Sequence, residues 1–356
     1  MEKEIRRNAM VGRSERQRSE RRRRAKRRAR RKNVLARVLC AVLPAMLILG
    51  VAFGVWNLGG RELLGAQLSS LSGQLPFFSE SETYSGEIIS GSDVDLLQLK
   101  SEYAILMDEA TGTTIAEHGS SDRIYPASLT KIMTAVVALE YSGDLDEQIT
   151  MPNDIFDALY AEGASMAGFQ PGEVVRVRDL LYGVLLPSGA ECCLTFAQRI
   201  AGSEAGFVDL MNQKAEELGM VNTHFCNSTG LHDPEHYSTV EDISLLLRYA
   251  LENESFRAAF TTGRYSVVPT NKHPDGFTFY STMFSCMDTT AVDGGEVTGG
   301  KTGYTQEAGL CLASVAKVNG REYLLVTARA EGSHETEQFH ILDALNVYNQ
   351  IGSLGK

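Results

Sequence analysis

Apolar positions are spread unevenly along the chain, and three textures follow one another. Residues 34–55 read VLARVLCAVLPAMLILGVAFGV, with Arg37 as the single charge. As a helix such a run extends ~33 Å at 1.5 Å per residue, enough to cross a ~30 Å hydrocarbon layer. Pro44 is tolerable in such a helix, and Trp56 suits the far interface. Residues 57–99 are rich in Ser and Gly and hold no sustained apolar period, which predicts a flexible spacer with a reach of ~35 Å. From about residue 100 to 356 the pattern is that of a folded domain.

Within that domain, 103–107 (YAILM) predicts a strand, 108–112 a turn and 113–116 a return strand. Helical runs follow at 129–141, 180–186, 192–200, 207–218 and 240–251, with Gly219 placed to stop the fourth. Residues 309–318 and 322–329 flank Asn319-Gly320, a strong signal for a two-residue hairpin. The chain closes on a run at 335–351 whose apolar face is expected at Phe339, Leu342, Leu345 and Tyr348. Strands at both ends with helices between them predict an α+β architecture. One antiparallel sheet is built from the two ends of the domain, with a helical lobe inserted in the middle.

Charge separates the parts further. Lys+Arg total 34 and Asp+Glu 45, a net of −11, yet residues 1–33 hold 16 basic and only four acidic residues. The remainder therefore carries 18 basic against 41 acidic, a net of −23, which argues against a nucleic-acid-binding domain. The basic block 21–32 (RRRRAKRRARRK) fits a cytosolic tail that leaves everything after Trp56 outside. A cleaved signal peptide is the rival reading. Its apolar core is usually shorter, and NLGGRELLGAQL offers no clean cleavage site. The expected organisation is a basic tail at 1–33, a membrane anchor at 34–56, a spacer at 57–99 and the folded domain at 100–356. Five of the six cysteines follow the anchor without CxxC or regular spacing. They read mostly as free, buried thiols.

Candidate chemistry begins at 126–131 (PASLTK). Ser128 and Lys131 lie three apart at a helix start and share a face. A serine hydroxyl needs a base to become a nucleophile, and a desolvated lysine can be that base. Alone, Ser-x-x-Lys is weak evidence. A second element is Pro187-Ser188-Gly189-Ala190 after a helix. A third is 299–305 (GGKTGYT) at the entry to a strand, where the G-x-x-x-x-G-K-[ST] spacing of a phosphate-cradling loop is not expected to be met. There Lys301 and Thr302 offer a cation and a hydroxyl to a carboxylate. The three in this order are far more specific than any one of them.

With these elements the chain resembles the penicillin-recognising serine D,D-peptidases, and more narrowly the S11 D-alanyl-D-alanine carboxypeptidases. The likeness extends over roughly 101–349, through YPASLTKIMTA, FQPGEVVRVRDLLYGVLLPSGAE, GMVNTHFCNSTGLHDPEHYSTVEDISLLLRYAL and TGGKTGYTQEAGLCLAS. The resemblance implies a serine β-lactamase/D,D-peptidase-like fold. It also implies an acyl-enzyme on Ser128, with Lys131 as general base and Ser188 in a proton relay to the leaving amine. Lys301 and Thr302 would bind the substrate carboxylate, with Gly303 and Tyr304 completing the substrate strand. The backbone N–H groups of Ser128 and Tyr304 would form the oxyanion hole. Peptidoglycan stem peptides are the implied substrate, β-lactams the covalent inhibitors, and no cofactor or metal is required. One position departs: Ala190 stands where the family usually has Asn, which normally bonds the substrate peptide and the lysine. Its loss leaves partners unmet at ~1–3 kcal/mol. Glu191 next to it is expected to point elsewhere along the helix.

Other readings are less economical. His232 and His236 flank Asp233-Pro234-Glu235, a turn rather than one helical face, so a metal pair is not expected. No Gly-x-Ser-x-Gly elbow is present. Glu162 does not sit in the pattern of a β-lactamase deacylating glutamate. Phe169, Tyr182, Phe196 and Phe225 read as core. Because of Ala190, a stem-peptide-sensing module that is acylated but turns over poorly is the main alternative, and β-lactamase activity a weaker one.

Overall fold

The computed structural model describes residues 93–354. The basic tail, the apolar run at 34–56 and the spacer up to residue 92 lie outside the described residues. Among the described residues no helix is long and apolar enough to cross a membrane.

One six-stranded sheet organises the domain. Strand β1 (Ser101–Asp108) turns into β2 (Thr114–His118), and the chain then leaves the sheet for the helical lobe. It returns through β7 (Ala291–Val292), β8 (Gly295–Thr305), β9 (Gly309–Val318) and β10 (Arg321–Ala330). The order is β2-β1-β10-β9-β8-β7, and every neighbouring pair is antiparallel. The last strand therefore pairs with the first, Ser101 opposite Ala330 and Asp108 opposite Tyr323, which is the both-ends sheet expected from the pattern. Asn319 (φ 49°) and Gly320 (φ 79°) take the two left-handed positions that a type I′ hairpin requires. Two small two-stranded sheets lie outside this sheet. One pairs β3 (Gln148–Thr150) with β4 (Val174–Arg176), and the other pairs β5 (Arg264–Val267) with β6 (Phe277–Tyr280).

The central strands read as nearly unbroken apolar runs because both faces are covered. Alternation sorts them. Ile105, Met107, Ala313, Val315, Leu324 and Val326 face the helical lobe. Ala104, Leu106, Leu312, Ala316, Tyr323 and Leu325 face the opposite core. Helix α1 (Thr130–Tyr141) is the lobe's central element, buried from Thr130 to Ala138. Around it pack α3 (Val177–Leu185), α4 (Ala190–Ala201), α5 (Glu204–Leu218), α6 (Val240–Leu251) and α7 (Glu254–Phe260), while α2 (Phe156–Ala161) packs on α4. Short α8 (Thr282–Ser285) leads back to the sheet. Phe169, Phe196 and Phe225 are buried here; Tyr182 is half-buried and stacks on Tyr265 at 3.8 Å.

The second core lies under α9 (Phe339–Leu354). Its buried face is Ile341, Ala344, Val347, Tyr348 and Ile351, whereas Leu342 is 45% exposed. The expected stripe of Phe339, Leu342, Leu345 and Tyr348 is thus corrected. Residues spaced strictly by three drift around a helix of 3.6 residues per turn, while a three-and-four spacing stays on one face. The helix also begins at Phe339, after turns over 333–338, and not at 335. Val94 and Leu96 are buried in the same core, so packed structure reaches into the stretch expected to be spacer. Backbone N–H groups of Lys100 and Ser101 donate to Asp343, and that of Asp95 to Gln350, clamping both ends of the domain together.

Two buried histidines make this domain sensitive to acid. Burial pushes His236 and His340 down to about 4. Both are neutral when folded, but in the unfolded chain they take up a proton near the ordinary value of ~6.5. Stability is therefore full above ~6.5 and declines as pH falls towards 4, by at most ~3 kcal/mol per histidine. Urea midpoints should fall over that window, and His340→Leu should flatten part of the fall; an unchanged pH slope in the variant would refute the assignment.

Candidate active site

Ser128 sits in a 3-10 turn (Ala127–Leu129) directly before α1. Lys131 follows in the first turn of the helix, so the i, i+3 spacing brings its Nζ to 3.1 Å from Ser128 Oγ. The same Nζ donates to the Thr229 carbonyl at 2.6 Å. Lys131 is 2% exposed and no carboxylate bonds it, so burial lowers its pKa; the fields of Cys193, Glu191 and Cys192 oppose this more weakly. A lysine in this state can accept the hydroxyl proton that an ordinary lysine could not.

Ser188 lies between α3 and α4 with φ 66°, a left-handed backbone that a non-glycine residue rarely adopts. Lys301 on β8 is fully buried and donates to Ser188 Oγ at 3.0 Å and to the Thr302 carbonyl at 2.9 Å. Burial and then the charge of Lys131 hold its pKa well below the usual lysine value. A bound carboxylate would restore its positive charge. Thr302 Oγ1 is 2.7 Å from Thr282 Oγ1 on α8. The next residue, Gly303, runs past Ser128 so closely that a Cβ there would lie 3.0 Å from Ser128 N. Three segments far apart in the chain are thus brought into one cluster, and Tyr304 continues β8 into the cleft wall.

The string 295–302 (GEVTGGKT) does fit the spacing G-x-x-x-x-G-K-T of a phosphate loop. Its conformation does not: all of it lies in β8, with no helix N-terminus to receive a phosphate. The glycines instead permit close packing, since a Cβ on Gly299 would stand 2.7 Å from the Phe260 carbonyl.

A cleft of about 800 Å³ opens over Ser128 and Lys131. Its walls include residues 162–165 on one side, 229–233 on another, and Tyr304 with His334 at the rim. Several contributors carry no side-chain motif. The 227–231 loop is wound around Asn227, whose Oδ1 accepts from Thr229 N, Thr229 Oγ1 and Gly230 N. That winding aims the Thr229 carbonyl at Lys131. Cues were present only as a cluster of turn-forming residues, Asn-Ser-Thr-Gly. Thr282 gave no signal at all.

The two histidines of the 232–236 turn do not share a site. His236 Nδ1 accepts from Cys226 N at 3.1 Å, so its proton is on Nε2, 2.7 Å from Thr130 Oγ1. His232 stays at the rim, edge-on to Tyr125. Cys192, Cys193 and Cys311 are buried thiols, Cys226 lines the cleft, and Cys286 is exposed, against the expectation for that residue. Burial pushes Cys193 up to about 12, which leaves it inert beside Lys131. Glu162 lies at the cleft wall, exposed at the end of α2.

The Ser128 turn is moulded from outside the helix. Ala127 has φ 46°, and the Gly230 backbone (φ 81°) lies so near that an added Cβ would be 1.9 Å from the Ala127 carbonyl. Gly230→Ala should therefore cost ~3 kcal/mol or more and lower Tm by roughly 10 °C. Gly163→Ala, with open space around it but a similar φ of 65°, should cost only ~1 kcal/mol. Thermal melts of the two variants side by side check the contrast; equal losses would remove the clash as the cause.

Known proteins share this arrangement. The family described as D-alanyl-D-alanine carboxypeptidase, peptidase S11, matches residues 90–332. The carboxypeptidase DacF of Bacillus subtilis is 34% identical over 250 residues, 69% of this chain and 61% of that protein. DacC of Escherichia coli is 40% identical over 150 residues, 40% of this chain and 37% of that one. The chain thus spans less than two thirds of the length of either. The carboxypeptidase of Streptomyces sp. K15 is 32% identical, covering 60% of this chain and 76% of that protein. The crystal structure of the Streptomyces K15 DD-transpeptidase superposes with a TM-score of 0.64 at 28% identity, over 71% of this chain and 97% of that one. A D-alanyl-D-alanine carboxypeptidase from Mycobacterium tuberculosis shares the fold, with a TM-score of 0.62. The sheet made from both ends of the domain, the inserted lobe and the Ser128, Ser188 and Lys301 segments at their junction place this chain in the S11 D-alanyl-D-alanine carboxypeptidase family.

Proposed function

We propose that this protein is a membrane-tethered serine D,D-carboxypeptidase that removes the terminal D-alanine from peptidoglycan stem peptides. The observation that carries the reading is the buried lysine beside a serine hydroxyl, 3.1 Å apart, with a second lysine, Lys301 on β8, bonded to a second serine, Ser188. Ser128 Oγ attacks the D-Ala–D-Ala carbonyl as its proton passes to Lys131 Nζ. The backbone N–H groups of Ser128 and Tyr304 receive the oxyanion; a single donor in such a hole is worth ~3 kcal/mol in other acyl-transfer enzymes. Lys301 and Thr302 hold the substrate carboxylate. The C–N bond then breaks, Ser188 Oγ passes its proton to the departing amine, and the lysines replenish it. Water, deprotonated by Lys131, releases the shortened peptide and restores Ser128. No step needs a metal or cofactor. β-Lactams fit the same geometry as strained amides and become covalent inhibitors.

The second reading rests on Ala190. It supplies no amide to the substrate, and its N–H is committed to the Ser165 carbonyl at 2.8 Å. On this reading the protein is acylated but turns over poorly, as a stem-peptide sensor. Tethering rests on residues 34–56 and the basic block before them, with the catalytic domain outside the cell.

Labelled penicillin should mark the wild-type chain covalently, and Ser128→Ala should abolish the mark; a label that survives removes Ser128 as nucleophile. Steady release of D-alanine from a pentapeptide separates the peptidase from the sensor, which would stop after one equivalent. Because Lys131 must be neutral to act and burial lowers its pKa, the rising limb of kcat/KM with pH should be complete below the usual lysine range. A profile still climbing at pH 10.5 would contradict the lysine's role. Membrane fractionation of cells expressing the chain, against one lacking residues 34–56, tests the tether; both forms in the soluble fraction would exclude it.

A further inference from the structure

Glu191, one residue after Ala190, is fully buried at the start of α4. Its Oε1 accepts from two successive backbone N–H groups, Ala167 at 2.7 Å and Gly168 at 2.9 Å. A third bond parallels these: Ala190 N donates to the Ser165 carbonyl. The contact is tight, since a Cβ on Gly189 would lie 2.6 Å from Ala167 Cβ and 3.0 Å from Glu191 Oε2. Oε2 itself is buried without a hydrogen-bond partner. A carboxyl group kept dry with half its capacity unused costs free energy, so its persistence asks for a role.

The segment it holds is a wall of the cleft. Residues 162–165 line the same cleft as Ser128, and the loop runs on through 166–168 to buried Phe169. A substrate with its carboxylate at Thr302 and its scissile carbonyl at Ser128 would extend its remaining residues into the cleft that this wall bounds. We propose that Glu191 is a positioning residue that fixes the 163–168 loop against the nose of α4 and thereby sets where the acyl-donor part of the substrate is held. The inference rests on the peptidase reading above. It assigns Glu191 no contact with the reacting atoms.

The role needs an acceptor oxygen and does not need a charge. Burial raises the carboxyl pKa, and the backbone N–H groups oppose this. A protonated carboxyl still accepts both bonds through its carbonyl oxygen. Glutamine has the same reach and the same acceptor, whereas aspartate is shorter by one methylene and cannot span to both N–H groups.

These differences define the test, made on the full chain with a stem pentapeptide and with penicillin G. Glu191→Ala and Glu191→Asp should raise KM for the pentapeptide by ~10-fold, with kcat and the limiting rate of acylation by penicillin G within ~3-fold of wild type. Glu191→Gln should return KM to within ~2-fold. Gln behaving like Ala, or Ala and Asp lowering kcat and penicillin acylation as much as kcat/KM, would overturn the proposal. Hydrogen exchange at the Ala167 and Gly168 amides needs no turnover. It should quicken in the Ala and Asp variants and stay slow in Gln, and protection retained in all three overturns the inference. A wild-type chain that penicillin G does not acylate would defeat the peptidase reading separately, leaving the exchange result to decide Glu191.

Discussion

Two ammonium groups buried at one junction, without a carboxylate bonded to either, are the constraint around which this domain is arranged. Lys131 and Lys301 are 2% and 0% exposed, and their partners are serine hydroxyls and backbone carbonyls. An ordinary buried salt bridge would keep each lysine charged and chemically idle. Here the desolvation penalty has no neutralising partner in contact, so it favours loss of a proton. The cost must be carried by the surrounding packing, and the site lies accordingly between the buried first turns of α1 and strand β8 of the sheet.

That arrangement requires a particular topology. Lys301 stands on β8, near one edge of the sheet, while Ser128 and Lys131 begin the lobe's central helix. The strand pairing between the two ends of the domain fixes the frame against which the lobe docks, and α9 covers the opposite face. Close backbone approach at the junction comes from glycines. Gly303 passes Ser128 N, Gly299 meets the Phe260 carbonyl, and Gly230 meets Ala127. The reactive groups are few, but the residues that let them meet are many.

The larger scheme was legible in the residues alone. Apolar strand-like runs at both ends, the Asn319-Gly320 hairpin and the ordered Ser128, Ser188 and Lys301 segments implied the sheet, the lobe and the family. Illegible were contributions made by backbone. The Thr229 carbonyl, the nearest acceptor to Lys131, leaves no side-chain trace, and Thr282 has no motif. Glu191 could be read as no substitute for the missing amide at 190, but nothing in the residues foretold its bonds to the Ala167 and Gly168 N–H groups. The face of α9 was misplaced because a spacing of three looks periodic in a line of letters and is not so on a helix. The short helices Phe156–Ala161 and Glu254–Phe260 and the strand pair Gln148–Thr150 with Val174–Arg176 are too brief to show a period before tertiary packing selects them.

Ser188 bears a backbone twist, φ 66°, that side-chain-bearing residues avoid. Glycine would sit there in comfort and would carry no hydroxyl. The most relaxed form of this loop is therefore chemically mute. On the peptidase reading, a calmer chain at this point would give up the relay hydroxyl, so strain and chemistry would be kept or lost together.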